Sequence, residues 1–260
     1  MIEALAEILE LSSLSLNAML LVFVRVAAAI ALFPAFGEQV IPSRVRLMVS
    51  IAFTLVVWPM VQGSLPPVTS ELSGLAVLVV IEAGIGFLIG ISVRFMIMAL
   101  QLAGSIAAQS TSISQIAGAA ATPDPMPAIG NILVMAAMTL ALVTGLHIKA
   151  ALSIASTYEI LPLGTIPIAG DIAEWGIARS AAAFQFAFSM AAPFVIAALA
   201  YNLALGAINR AMPALMVAFI GAPAITAGAM LLLLLATPAI LTVWNARLDA
   251  VLFDPLGMPR

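Results

Sequence analysis

Apolar positions arrive along this chain in long unbroken runs and do not alternate with polar ones. Six such runs, roughly 16–36, 47–62, 74–100, 128–148, 180–206 and 213–244, stand between short polar punctuations. A bilayer core of about 30 Å needs about 20 apolar residues in helical form. The uncharged stretches from Arg46 to Glu71, Arg94 to Asp124, Asp124 to Lys149, Arg179 to Arg210 and Arg210 to Arg247 all exceed that length. They are too long for barrel strands and lack the lipid-out, lumen-in alternation of such strands. The pattern predicts an all-α, polytopic membrane bundle of about six apolar helices or helical hairpins. Ahead of the first run, Ile2, Leu5, Ile8 and Leu9 share one helical face, and Glu3, Glu7 and Glu10 share another. That opening predicts a short amphipathic helix. It carries acids where a secretion signal needs bases, so it is not read as one.

The punctuation refines the elements. Gly37 to Arg46 reads as a turn ending in two arginines, and Pro59, Pro66 and Pro67 close the second run. Gly84, Gly86 and Gly90 recur in the third at a spacing that lets helix backbones approach closely, which invites partner subunits. Pro213, Gly221, Pro223, Gly228 and Pro238 interrupt the sixth, which predicts a half-helix, a turn and a longer helix. The stretch 104–125 is polar yet uncharged up to Asp124 and Pro125. It is too polar for lipid and too poor in charge for a solvated loop. Non-helical backbone of this kind is tolerated at membrane depth only inside protein or a water-filled cavity; an extramembrane connection is the alternative. With no linker and no internal repeat, residues 1–260 read as a single membrane-embedded domain.

Composition excludes whole classes of function. Hydrophobic residues make up 64% of the chain and charged residues 8%, against about 25% charged in soluble domains. Mean hydropathy is +1.21, which excludes a soluble globular enzyme. Nine Lys and Arg against twelve Asp and Glu leave no basic stripe for nucleic acid. The absence of cysteine and the single histidine exclude thiolate and multi-histidine metal sites, so neither metal nor cofactor is expected.

The few intramembrane charges are therefore conspicuous. Arg25 sits in the middle of the first run, and Glu82 and Arg94 lie in or beside the third. A charge at the bilayer centre costs about 2.5–3.5 kcal/mol on insertion scales, so each is expected to face protein or water. Pairing Arg25 with Glu82 is the economical arrangement. It reads either as a structural joint between helices or as part of a transport or proton relay. His147, at the end of the fourth run, reads as a polar contact near the interface and less readily as a proton carrier. Ser153 and Ser156 follow it, but no Gly-x-Ser-x-Gly turn accompanies them, so an intramembrane hydrolase is disfavoured. Gly84-Ile85-Gly86-Phe87-Leu88-Ile89-Gly90 lies inside an apolar helix and not after a strand, which rules out a dinucleotide site. Arg44, Arg46, Arg94 and Arg210 against Lys149 and Arg247 give only a weak orientation signal.

Several landmarks occur together and in order: Arg25-Val26, Phe33-Pro34-Ala35-Phe36-Gly37, Ile41-Pro42-Ser43-Arg44-Val45-Arg46, Glu82-Ala83-Gly84-Ile85-Gly86, Ala99-Leu100-Gln101-Leu102-Ala103-Gly104, Asp124-Pro125, Gly145-Leu146-His147 and Leu161-Pro162-Leu163-Gly164. This set resembles the FliR family of flagellar biosynthesis proteins, related to the SpaR/YscT-type components of virulence type III secretion systems. The resemblance covers nearly the whole chain. It departs from the family at Ala108-Gln109-Ser110-Thr111-Ser112, where members usually show glycine and methionine, and around His147.

The resemblance implies a non-enzymatic export-gate subunit of the bacterial inner membrane, in a flagellar basal body or equivalent apparatus. It implies assembly with FliP-like and FliQ-like partners and further export-apparatus components around a channel for unfolded exported proteins. It also implies a FliP-like N-terminal part and a FliQ-like hairpin at about 180–250. Residues of about 106–123 would form a plug; the candidates around that segment are Gly104, Gln109, Ser110, Thr111, Ser112, Gln115, Gly118, Asp124 and Pro125. The alternative is a secondary transporter of a small solute, for which broken helices and intramembrane charges also speak, although no repeat symmetry is visible.

Overall fold

Stretches this rich in Ala, Leu, Ile and Met, free to satisfy every backbone group internally, fold as helices. The computed structural model describes residues 2–66, 72–111, 128–212 and 217–257. Seven α-helices lie among these: α1 (Ile2–Ile30), α2 (Ser43–Val61), α3 (Leu72–Ser110), α4 (Ala128–Val143), α5 (Leu146–Ile160), α6 (Ala169–Ala211) and α7 (Val217–Phe253), with a 3-10 turn at Gln62–Ser64. Four stretches, Ser43–Ser64, Ser73–Ser110, Ala169–Ala211 and Ala224–Phe253, are long and apolar enough to cross a membrane. The pair α4 and α5, bent by 76°, supplies a fifth if it counts as one broken span.

Several predicted boundaries are corrected. The amphipathic opening and the first apolar run form one helix, α1, and not two elements. α1 stops at Ile30, short of the predicted edge, because Pro34 cannot continue it. Ala35 takes φ +65°, and the Gly37 N–H returns to the Phe33 carbonyl at 2.7 Å. A side chain at Gly37 would overlap the Ala31 carbonyl, which accounts for glycine there.

The third run extends ten residues further than predicted, so Gly104 to Ser110 are helical and not irregular. Their polar groups are absorbed by the helix itself: Ser105 donates to the Gln101 carbonyl and Ser110 to the Ala107 carbonyl, each at 2.9 Å. The fourth run breaks at Thr144-Gly145, where Gly145 takes φ +84° and caps α5. The sixth shows no internal turn among its described residues, since Val217–Phe253 is one helix through Pro223 and Pro238. Threonine hydroxyls bond carbonyls beside the second proline, Thr237 to Leu233 at 2.6 Å and Thr242 to Pro238 at 2.8 Å. Such side-chain bonds make proline tolerable in membrane helices.

The chain divides into two compact units. Unit 1 comprises Met1–Arg94, Leu142–Arg179 and Leu248–Arg260. In it α2 packs against α1 and α5, around buried Leu21, Val26, Ile30, Phe33, Ile85 and Ile154. Unit 2 comprises Phe95–Ala141 and Ser180–Arg247, with Ile97, Leu100, Leu133, Phe194 and Trp244 buried. The Trp244 indole donates to the Met96 carbonyl at 2.8 Å, so its polar edge is satisfied inside an apolar core.

Gly86 and Gly90 serve an internal contact. A side chain at Gly86 would overlap the Arg25 carbonyl and Ala28, and one at Gly90 would overlap Ala29 and Leu32. The close-packing face expected to receive partner subunits is thus occupied by α1, whereas Gly84 faces open space. In unit 2 the crossing of α3 and α4 is equally tight, with Gly104 against Gly130.

Candidate functional site

The close approach at Gly86 sets Arg25 of α1 beside Glu82 of α3, and both are fully buried. Arg25 Nε donates to Glu82 Oε2 at 2.6 Å and Nη2 to Oε1 at 3.1 Å, a two-pronged pairing that matches the planar fork to the carboxylate. Two further donors are taken up within the unit. Nη1 donates to Thr157 Oγ1 at 3.3 Å and Nη2 to the Leu161 carbonyl at 3.0 Å. The guanidinium carbon lies 3.8 Å from the centroid of the Tyr158 ring, a cation–π contact in a desolvated place.

Glu82 gains a further donor from the chain just after α5. The Gly164 N–H reaches Oε1 at 2.9 Å. It is presented by a turn in which the Thr165 N–H returns to the Pro162 carbonyl at 3.0 Å. Gly164 occupies the positive-φ position, at +80°, where a turn of this kind calls for glycine. Three helices and one turn thus meet on a single ion pair, and its charge-bearing atoms are bonded within the protein.

Arg94 is held differently. Its Nη1 meets Glu38 Oε1 at 2.6 Å, with both side chains more than a quarter exposed. Arg46 Nη2 donates to the Glu38 carbonyl at 3.0 Å, so the turn between α1 and α2 is gripped from two sides. His147 is exposed in the first turn of α5. Among the described residues no group of three or more His, Cys, Asp or Glu is placed to hold a metal.

Of the plug candidates, Gly104 sits in the α3–α4 crossing, close against Gly130. Gln109 is exposed, Ser110 closes α3, and Thr111 is buried with its hydroxyl bonded to the Ala107 carbonyl at 2.8 Å. Ser112, Gln115, Gly118, Asp124 and Pro125 lie outside the described residues. Sequence reasoning missed Thr157, Tyr158, Leu161 and Gly164 as partners of the pair, and Glu38 as the partner of Arg94. The signal available for the first group was the Pro162-Leu163-Gly164 turn, a proline and glycine at turn spacing directly after a helix.

Comparison with known proteins extends the picture over most of the chain. Residues 16–251 match the family described as bacterial export proteins, family 1. The chain is 33% identical to the flagellar biosynthetic protein FliR of Caulobacter vibrioides over 231 residues, covering 87% of this chain and 91% of that protein. It is 29% identical to the protein of the same name from Escherichia coli over 76% of each chain. The Bacillus subtilis protein of that name is 29% identical over 87% of this chain and 88% of its own.

Proposed function

This chain belongs to the bacterial export proteins, family 1, and we infer from that membership that it is a FliR-type component of the flagellar type III export apparatus. The match across residues 16–251, which takes in part or all of every helix, carries the reading. In it the chain is a subunit of the export gate in the bacterial inner membrane. It assembles there with FliP-like and FliQ-like subunits around a channel for unfolded proteins, and it has no catalytic step of its own. The long helices α6 and α7 on either side of 212–216 support a FliQ-like hairpin at about 180–250, after a FliP-like part.

The surface supports assembly with partners. Large apolar side chains are exposed along α6 from Ile177 through Phe184, Phe188, Ile196 and Leu203 to Ile208. At about 1.5 Å per residue that stretch is ~46 Å of helix. A hydrocarbon core of about 30 Å does not cover it even at a tilt of about 40°. Cover by other protein suits the remainder. Co-expression with FliP-like and FliQ-like subunits is expected to give a stable complex, and expression alone a poorly behaved protein. A monodisperse, stable monomer in mild detergent, or intact flagella in cells lacking the chain, would overturn the reading.

Residues of about 106–123 act as the channel plug in this proposal. Deleting 112–121 spares the last turn of α3 and all of α4, so assembly is expected to survive. Small-ion conductance through the assembled complex at rest is expected to rise. A deletion complex as tight as the parent would make the segment a plain connection.

A further inference from the structure

Unit 1 contains a cleft of about 520 Å³ between α5 and the C-terminal end of α7, a size usual for specific binding sites. Lys149, Ser153, Ser156 and Glu159 line it from one side of α5, at the spacing that puts residues on one helical face. At one end the Lys149 ammonium is satisfied by Asp249 of α7 at 2.6 Å. At the other end Glu159 has no ion-pair partner among the described residues. Glu159 also stands one residue from the C-terminus of α5, where the exposed carbonyls of the helix already carry negative potential. Glu159 is exposed at the mouth of the cleft, where its carboxylate and the helix end both offer a cation favourable contacts.

A second, independent feature lies deeper. Ser153 is 2% exposed, and its hydroxyl has no hydrogen-bond partner among the described residues. Serines elsewhere in these helices return their hydroxyls to the carbonyl three or four residues back, as Ser50, Ser92, Ser105 and Ser156 do. Ser153 is the exception among the buried serines, and a buried unsatisfied hydroxyl on the wall of a cleft calls for an explanation. Beside it the cleft presents exposed Leu152 and Phe253. These suit the methylene stem of a long basic side chain, with the ring available to its charged head.

We propose that this cleft binds a lysine or arginine side chain projecting from an apolar helix of a neighbouring gate subunit, with Glu159 as its counter-charge and Ser153 as an additional hydrogen-bond acceptor. The inference rests on the reading of the chain as a subunit of a multi-protein export gate. A protein side chain is favoured over a lipid amine because the polar groups are distributed from the mouth to the buried wall, beside apolar residues that a helix would cover.

The test uses the full chain co-expressed with its FliP-like and FliQ-like subunits, reading the amount of complex recovered against the accumulated level of this chain. Glu159→Lys is expected to reduce recovery about tenfold or more, and Glu159→Gln by less, since like charges at an interface repel as well as failing to pair. Selection for restored motility in the Glu159→Lys strain is expected to return a basic-to-acidic change in a partner subunit. Should Glu159→Lys fail to accumulate, a photo-crosslinking residue at Leu152 takes its place. It is expected to join a partner peptide that carries a lysine or arginine. Recovery of the Glu159→Lys complex at the parent level, or a crosslink found only on lipid, overturns the inference. Failure of the parent chain itself to co-assemble would instead overturn the reading beneath it.

Discussion

Removing one side of the buried pair is the sharpest perturbation available, and its magnitude follows from the bonds. Arg25→Leu deletes four donated hydrogen bonds and leaves the Glu82 carboxylate with one donor, the Gly164 N–H. Breaking a buried pair on one side costs about 3–5 kcal/mol, because the remaining charge stays desolvated. Glu82→Leu leaves the guanidinium with Thr157, Leu161 and the Tyr158 face, and a similar cost of about 3–5 kcal/mol applies. If the two losses were independent, the double mutant would lose the sum, about 6–10 kcal/mol, which approaches the whole stability of a domain. With both charges gone, the unpaired groups left are neutral: the Leu161 carbonyl and the Gly164 N–H, at about 1–3 kcal/mol each. Two leucine side chains in their place restore part of that through apolar packing. Arg25→Leu/Glu82→Leu is therefore expected to recover at least about 2 kcal/mol relative to the sum. The measurement is a double-mutant cycle on unfolding in mixed micelles, with membrane accumulation as a second readout. Additivity within about 0.5 kcal/mol would refute the coupling.

Three further outcomes follow from single contacts. Gly86→Ala is expected to cost about 1–3 kcal/mol through overlap with the Arg25 carbonyl, while Gly84→Ala, facing open space, stays within about 0.5 kcal/mol of the parent by the same unfolding measurement. Gly164→Ala places a side chain at φ +80° against Leu78, so a loss of about 1–2 kcal/mol from the backbone alone is expected. It is expected to be smaller in an Arg25→Leu/Glu82→Leu background, and an equal loss there would dissociate the turn from the pair. Arg94→Ala, breaking a partly exposed ion pair, is expected to change stability by no more than about 1 kcal/mol, and a loss comparable to that of Arg25→Leu would contradict the contrast between the two.

The helical class was legible because hydropathy reports the solvent, and the bilayer is a solvent that admits few structures. Element ends were less legible for a related reason. A window matched to the bilayer thickness trims helices that continue past it, as α3 does to Ser110 and α6 does to Ala211. Serine and glycine at 104–110 signalled irregular backbone by rules learned in water, where such side chains compete for backbone groups. Here Ser105 and Ser110 bond back to their own helix, and Gly104 is required by the nearness of Gly130. Proline misled in the same way within 217–253. The break that does occur, at Gly145, falls three residues before the predicted end of the fourth run, and the helix that follows it continues past Lys149 to Ile160.

Charge made Arg25 and Glu82 visible, since any charge inside an apolar run implies a cost that has to be met. Their neutral partners carry no such cost, so nothing in the hydropathy pattern singled out Thr157 or the Leu161 carbonyl. Yet those partners decide what the pair can do. A relay must release and regain a proton, and it needs an acid or base with room to change its bonds. Glu82 receives three hydrogen bonds, two from Arg25 and one from a backbone N–H held by a turn. Arg25 spends its other bonds on α5 and the residue that ends it. Replacing Glu82 would remove all three of its bonds at once and leave a guanidinium buried without its counter-charge. Each of these bonds ties one element to another, so the geometry favours a joint that fixes α1, α3 and α5 together. In the proposed gate subunit, such a joint would keep one set of helix contacts fixed while lipid and neighbouring subunits cover the outer faces.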